Sequence, residues 1–338
     1  MSHELEINAN GTANMVWANT PCWHGLGTEM DPDAGALVWM KAAGLDWDVV
    51  KQPMFTELPN GEKITVTGKN GGEYSVLVRD HRNKKFDQKD IFGPVGPEWT
   101  EVQNNEVFTF MEKWCKAGNM KMETCGALKG GTEIWALAKY ADEFELIKGD
   151  TAKGYMLIHS AHVWGKGNSI RNSLTRVVCN NTLQIALGSS NGAFRMPHVR
   201  AFDADVQKRA EEAIGLVTEQ NKQMKEAISY LASKKAPDNA MEEYIVKLYQ
   251  PKAANDEKVQ LNQTSEIVWD AIHLAPGSAL NSSKGTWWGA LNGVTYYEDH
   301  MRMSYVDQTN VLGSALLGAG SRKKTQAFEL AMEYARVA

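Results

Sequence analysis

The feature that most constrains the fold is a change of hydrophobic period near residue 203. Downstream, over residues 203–235, Val206, Ala210, Ile214, Val217, Met224, Ile228 and Leu231 recur three, four or seven positions apart. That spacing makes one apolar stripe on a long amphipathic helix. Ala236-Pro237-Asp238 breaks it, and shorter helical patterns follow at 239–249, 262–273, 284–302 and 325–337. Upstream the dominant period is two. Residues 45–55, 62–68, 73–80 and 154–164 read as strands, and 122–140 as a hairpin turning at Lys129-Gly130-Gly131. Lys69-Asn70-Gly71-Gly72 is hairpin-turn chemistry, because Asn-Gly accepts positive φ. Helices are expected at 34–44, closed by Gly44, at 104–118, and from Arg176 to Leu187, ending at Gly188; residues 91–99 read as loop.

This order lacks the regular strand–helix alternation of a parallel doubly wound fold. The expectation is an α+β chain: an antiparallel sheet with flanking helices, then an all-helical C-terminal region. The expected divisions are an irregular arm over 1–30, a core domain over 31–202 and the helical region over 203–338.

The second feature is compositional. The chain carries 41 acidic against 36 basic residues, for a net charge of -5. Yet residues 151–202 contain no Asp or Glu, while holding Lys153, Lys166, Arg171, Arg176, Arg195 and Arg200. Clearing carboxylates suits a phosphate-binding surface, since an acid beside a phosphate repels it. Trp164 and Phe194 in or near this run are expected to stack on bases. Arg79, Arg82, Lys84 and Lys85 form a second basic knot after a strand. The competing account makes the acid-free run an internal segment whose cations pair with acids elsewhere, such as those in 203–219. Both accounts stand on sequence alone. Arg176, placed at a helix start, is electrostatically unfavourable there unless an anion lies beside it.

Other motifs point away from catalysis. His159 and His162 are three apart on an expected strand and so face opposite sides, a poor pair of metal ligands. Gly318-Ala-Gly320-Ser-Arg-Lys-Lys324-Thr325 misses the spacing of a phosphate loop and reads as a turn before the last helix. Glu298-Asp299-His300 reads as a solvated helix end. No G-x-S-x-G or H-E-x-x-H occurs, so the chain is read as no enzyme, with no metal and no cofactor. Cys22, Cys115, Cys125 and Cys179 are scattered and read as reduced thiols. No leader and no run approaching the roughly 20 apolar residues of a membrane span is seen. The expected setting is the host-cell cytoplasm. Most of the eleven tryptophans are expected in the core.

Several stretches carry a resemblance: Trp23-His-Gly-Leu-Gly-Thr28, residues 45–53 (LDWDVVKQP), 176–183 (RVVCNNTL), 285–300 (GTWWGALNGVTYYEDH) and 314–331 (SALLGAGSRKKTQAFELA). Together they resemble a phage/plasmid-like protein family of unknown function. Departures are Cys22 before Trp23 and Tyr296, where Glu is common in that family. The resemblance implies a mobile-element origin. The element order is also similar, at fold level only, to single-strand annealing proteins such as phage lambda Beta protein. That analogy implies single-stranded DNA as partner, homo-oligomeric rings or filaments, and an annealing or homologous-recombination role without catalysis. Phage or host replication and recombination proteins would be further partners, with no membrane involved. Lys166, Arg171, Arg176, Arg195 and Arg200 would grip phosphate, with Arg79, Arg82, Lys84 and Lys85 as a second rail. The alternative is a protein-binding mobile-element factor that counters a host defence or assembles with phage proteins.

Overall fold

A computed structural model describes residues 5–7, 11–19, 26–81, 87–176, 182–183, 193–196, 198, 205, 208, 212, 217–252, 260–302 and 318–337. The alternating segments build one large sheet. Its strands are β1 (Met15–Trp17), β2 (Thr28–Glu29), β8 (Met120–Leu128), β9 (Glu133–Ile147), β10 (Asp150–Ala161), β11 (Asn168–Arg176), β12 (Thr182–Leu183) and β13 (Ala193–Met196). Their order is β12-β11-β10-β9-β8-β1-β2, with β13 also on β11. Every pairing is antiparallel except β1 with β2. The residues expected to form a loose arm therefore supply two strands of the sheet.

Period-two alternation gives the sheet two unlike faces. Ile134, Ala136 and Ala138 of β9, Met156 and Ile158 of β10, and Ile170 of β11 are buried in one core with Trp39, Met40, Phe108, Phe110 and Met111. Those partners come from α1 (Ala36–Ala42) and α2 (Asn104–Ala117), which lie on that face. The intervening residues point the other way. There Trp135 and Leu157 join Leu5, Ala13, Met15 and Leu128 in a small cluster under the N-terminal segment. Beyond this cluster, at His159 and Ser169, the same face borders a cleft.

Between α1 and α2, β3 (Asp48–Pro53), β6 (Ser75–Asp80) and β7 (Ile91–Val95) form a three-stranded sheet, and β4 (Phe55–Glu57) pairs with β5 (Lys63–Thr65). Two expectations change here. Residues 91–95 are a strand, not loop. The strand ending at Thr65 pairs back to β4, and the Lys69–Gly72 turn is closed by a single bridge, Thr67 to Glu73. The turn at 129–131 is as expected: Lys129, Gly130 and Gly131 all have positive φ. A Cβ on Gly131 would lie 3.0 Å from the Arg79 guanidinium, so only glycine fits.

Residues 217–337 are helical where described: α3 (Val217–Ser233), α4 (Asp238–Tyr249), α5 (Gln263–Leu274), α6 (Trp287–Tyr296) and α7 (Ala319–Val337). Met224, Ile228 and Leu231 of the expected stripe are buried with Tyr244, Trp287, Leu291 and Phe328 in a second core. Gly293 lets α6 lie directly on α5; a Cβ there would sit 2.3 Å from an Ile272 side-chain carbon. Asp150, fully buried at the start of β10, accepts from Ser282 Oγ at 2.9 Å and Trp288 Nε1 at 3.1 Å. These bonds join the helical region to the sheet. No described helix is long and apolar enough to cross a membrane.

Among the described residues, Arg176 and Thr182–Leu183 of the helix expected from Arg176 to Leu187 are strand instead. Arg176 ends β11, opposite Ala152, and Thr182–Leu183 pairs back onto it as β12. At Thr182–Leu183 the available edge of β11 decides for strand. The argument for an anion at a helix start beside Arg176 therefore lapses.

Candidate functional site

The open part of the sheet face is the floor of a cleft of about 1170 Å³. Cross-strand register sets its floor: His159 lies opposite Ser169, and Ser169 opposite Arg195. Arg171, two residues along β11, shares the face. Three loops make the walls: the turn holding Gly68, Lys69 and Asn70, the Gly96–Trp99 segment after β7, and the Trp164–Gly167 loop joining β10 to β11. Trp164 sits on that loop with 78% of its surface exposed, the most open of the described tryptophans. Trp39, Trp47, Trp99, Trp114, Trp135, Trp287 and Trp288 are buried, as expected of core residues.

Glu133, at the start of β9, is the hub of one end. Its carboxylate accepts from His159 Nε2 at 2.8 Å, from Lys129 Nζ at 3.0 Å, and from Lys166 Nζ. Burial by itself would raise its pKa. Hydrogen bonds from His159, Lys166 and Lys129 override that and hold the carboxyl far below the usual range. Lys166, though basic and half-exposed, is thus already partnered. Arg171 and Arg195 are not: among the described residues neither has an ion pair with a carboxylate, and Arg171 Nε has no hydrogen-bond partner. Burial, and then the charge of Arg195, lowers the Arg171 pKa.

Of the residues singled out in the sequence, Lys166, Arg171, Arg195 and Trp164 converge on this cleft. Phe194 lies in β13 opposite Ile170, and Arg176 at the end of β11; their side chains, with all of Arg82, Lys84, Lys85 and Arg200, lie outside the described residues. Arg79 requires a correction. It is 2% exposed, pairing with Glu6 at 2.5 Å and Asp90 at 3.2 Å and donating to the Gly130 carbonyl at 3.0 Å. Its guanidinium also lies 5.2 Å from the Trp47 ring centroid. It is an internal ion-pair residue and not part of a surface rail. Glu6 and Asp90 are 73 and 11 residues away in sequence, so local composition gave no sign of them.

His159 and His162 do diverge. His159 serves Glu133, while His162 is buried, bonds Asn104 Oδ1 at 3.0 Å, and is pushed by burial down to about 3. Among the described residues no group of three His, Cys, Asp or Glu is placed to hold a metal ion. The cleft's Glu133, Ser169 and His198 escaped the sequence reading, since each looks ordinary alone. The one available signal was the acid-free run, which names the floor strand but not its neighbours.

A second correction concerns Glu298 and Asp299. They are 4% and 7% exposed, not solvated. A π turn, Tyr297–Met301, follows α6, and its wider coil turns both carboxylates inward. Glu298 accepts from Tyr249 Oη at 2.9 Å and Arg302 at 2.6 Å, and Asp299 accepts from the fully buried Lys324 at 2.6 Å.

With this geometry in hand, comparison with known proteins gives one match. Residues 91–332 fit the model of a family described as Domain of unknown function (DUF932). The chain belongs to the DUF932 family. The DUF932 match runs from β7 through strands β8 to β13 of the large sheet and nearly all of the helical region, so it includes the cleft floor and two of its three walls. No curated protein and no solved structure matches the chain.

Proposed function

We propose that this DUF932 protein binds single-stranded DNA in the cleft, without catalysis, in strand annealing or homologous recombination for a phage or plasmid. The observation that carries the reading is the pair Arg171 and Arg195. They share a sheet face, are unneutralised by any described carboxylate, and lie in a cleft rimmed by the exposed Trp164. Guanidiniums neutralise phosphate and release its counterions. An exposed indole stacks on any base. Lys69 adds a cation and Glu98 an anion to the walls, so these two offset each other. The internal role of Arg79 takes that residue out of the proposed interface. Oligomerisation into rings or filaments and a cytoplasmic setting are parts of the same proposal.

The test is a gel shift with labelled single-stranded and duplex DNA at two salt concentrations. Single strands should bind preferentially, with a log–log salt slope near -0.7 per phosphate contacted. Trp164→Ala should weaken binding by about 1–3 kcal/mol. Salt-independent binding, or no preference for single strands, would count against the proposal in favour of a protein-binding factor.

A further inference from the structure

Besides Trp99 Nε1, whose ring stacks on His198, four buried polar atoms among the cleft-lining residues have no described hydrogen-bond partner: Asn168 Nδ2, Ser169 Oγ, Arg171 Nε and His198 Nε2. Native proteins keep few such atoms, and each needs an explanation. His198 is set aside, because the Thr100 and Ala161 carbonyls face its ring. The other three belong to one short stretch of β11. Asn168 Oδ1 is taken, accepting from Ser160 Oγ at 2.6 Å, so only its amide N–H groups remain. Ser169 is 5% exposed and lies directly opposite Arg195. Asn168, two residues before Ile170, faces the opposite side of the sheet, so the floor presents a hydroxyl and two guanidiniums, with no described carboxylate on either arginine.

We infer that this floor seats a phosphate monoester, carried by a strand end or a free nucleotide, in preference to an internal phosphodiester. The inference rests on the strand-binding reading and narrows it. Charge favours it: a diester carries one negative charge, whereas a monoester carries about -1.5 to -2 near pH 7, which matches two unpaired guanidiniums. Acceptor number favours it too. A diester offers two non-bridging oxygens, and a monoester three, for donors arriving from Ser169, Arg171 and Arg195.

The experiment measures affinity for one internally labelled oligonucleotide ending in 5′-phosphate, in 3′-phosphate, or in hydroxyls at both ends. In parallel, thymidine 5′-monophosphate is compared with thymidine by calorimetry. One terminal phosphate should tighten strand binding about tenfold or more, from two added charge-assisted contacts. In Arg171→Gln the ratio of phosphorylated to unphosphorylated affinity should fall to about one. Arg195→Gln, at an exposed position, gives the same readout if the first variant does not fold. Binding of the monophosphate without a strand-end preference supports the seat and assigns it to free nucleotides. If the monophosphate binds but no oligonucleotide does, the strand reading falls and the seat stands. If hydroxyl-ended strands bind, neither terminal phosphate adds affinity and the monophosphate binds no better than thymidine, the seat is overturned and the strand reading stands. If nothing binds, both are overturned.

Discussion

Glu133→Gln should weaken the fold and strengthen anion binding at once. Glu133 is 4% exposed and holds three cationic or ionisable partners. The Lys129 and Lys166 side chains are 41% and 42% exposed, so their pairs are worth at most about 1 kcal/mol each. The buried contact to His159 carries more; truncating one partner of such a pair costs about 3–5 kcal/mol. Glutamine keeps the shape and one acceptor oxygen, which reduces the expected loss to about 1–3 kcal/mol. The pH dependence follows from the direction of the shift. A carboxyl held below its ordinary value of 4.5 stabilises the fold fully above that value, and the contribution is lost as pH falls toward the folded-state pKa. Urea unfolding followed by tryptophan fluorescence should therefore show the largest difference from the parent at pH 7, shrinking below about pH 4.5. In the variant Lys166 is released toward the cleft. One added phosphate contact deepens the salt slope by about 0.7, which is a further loss of about 2.6-fold for a fourfold rise in salt. Unchanged stability together with an unchanged slope would refute the assignment of Glu133 as the group that restrains Lys166.

Three further outcomes are expected. Arg79→Met should destabilise by about 3–5 kcal/mol, by stranding Asp90 and Glu6, yet leave the salt slope of strand binding unaltered; a shallower slope would return Arg79 to the interface. Lys324→Met should cost about 3–5 kcal/mol in denaturant unfolding, because it leaves Asp299 without its buried cation; a loss under 1 kcal/mol would show the pair to be dispensable. Light scattering with and without single-stranded DNA should detect an oligomer, and a monomer in both conditions would remove rings and filaments from the proposal.

Local pattern fixed much of the architecture. The switch from period two to a helical stripe separated the sheet from the helices. Asn104–Ala117 and the turn at 129–131 were legible because apolar spacing and positive-φ residues act over a few positions. The acid-free run pointed to β11, the strand on which Arg171 and Ser169 stand. Tertiary structure decided the rest. Whether Thr182–Leu183 coiled or extended depended on an available sheet edge, and whether 91–95 was loop or strand depended on β6 beside it. Basic residues alike in sequence parted in the same way: Arg79 met Glu6 and Asp90, Lys166 met Glu133, and Arg171 and Arg195 met each other's charge and no carboxylate among the described residues. Period and turn chemistry are properties of neighbours along the chain. The partner of a charge is set by residues tens of positions away, and it is that partner which determines whether a cation is spent inside the fold or left for a ligand.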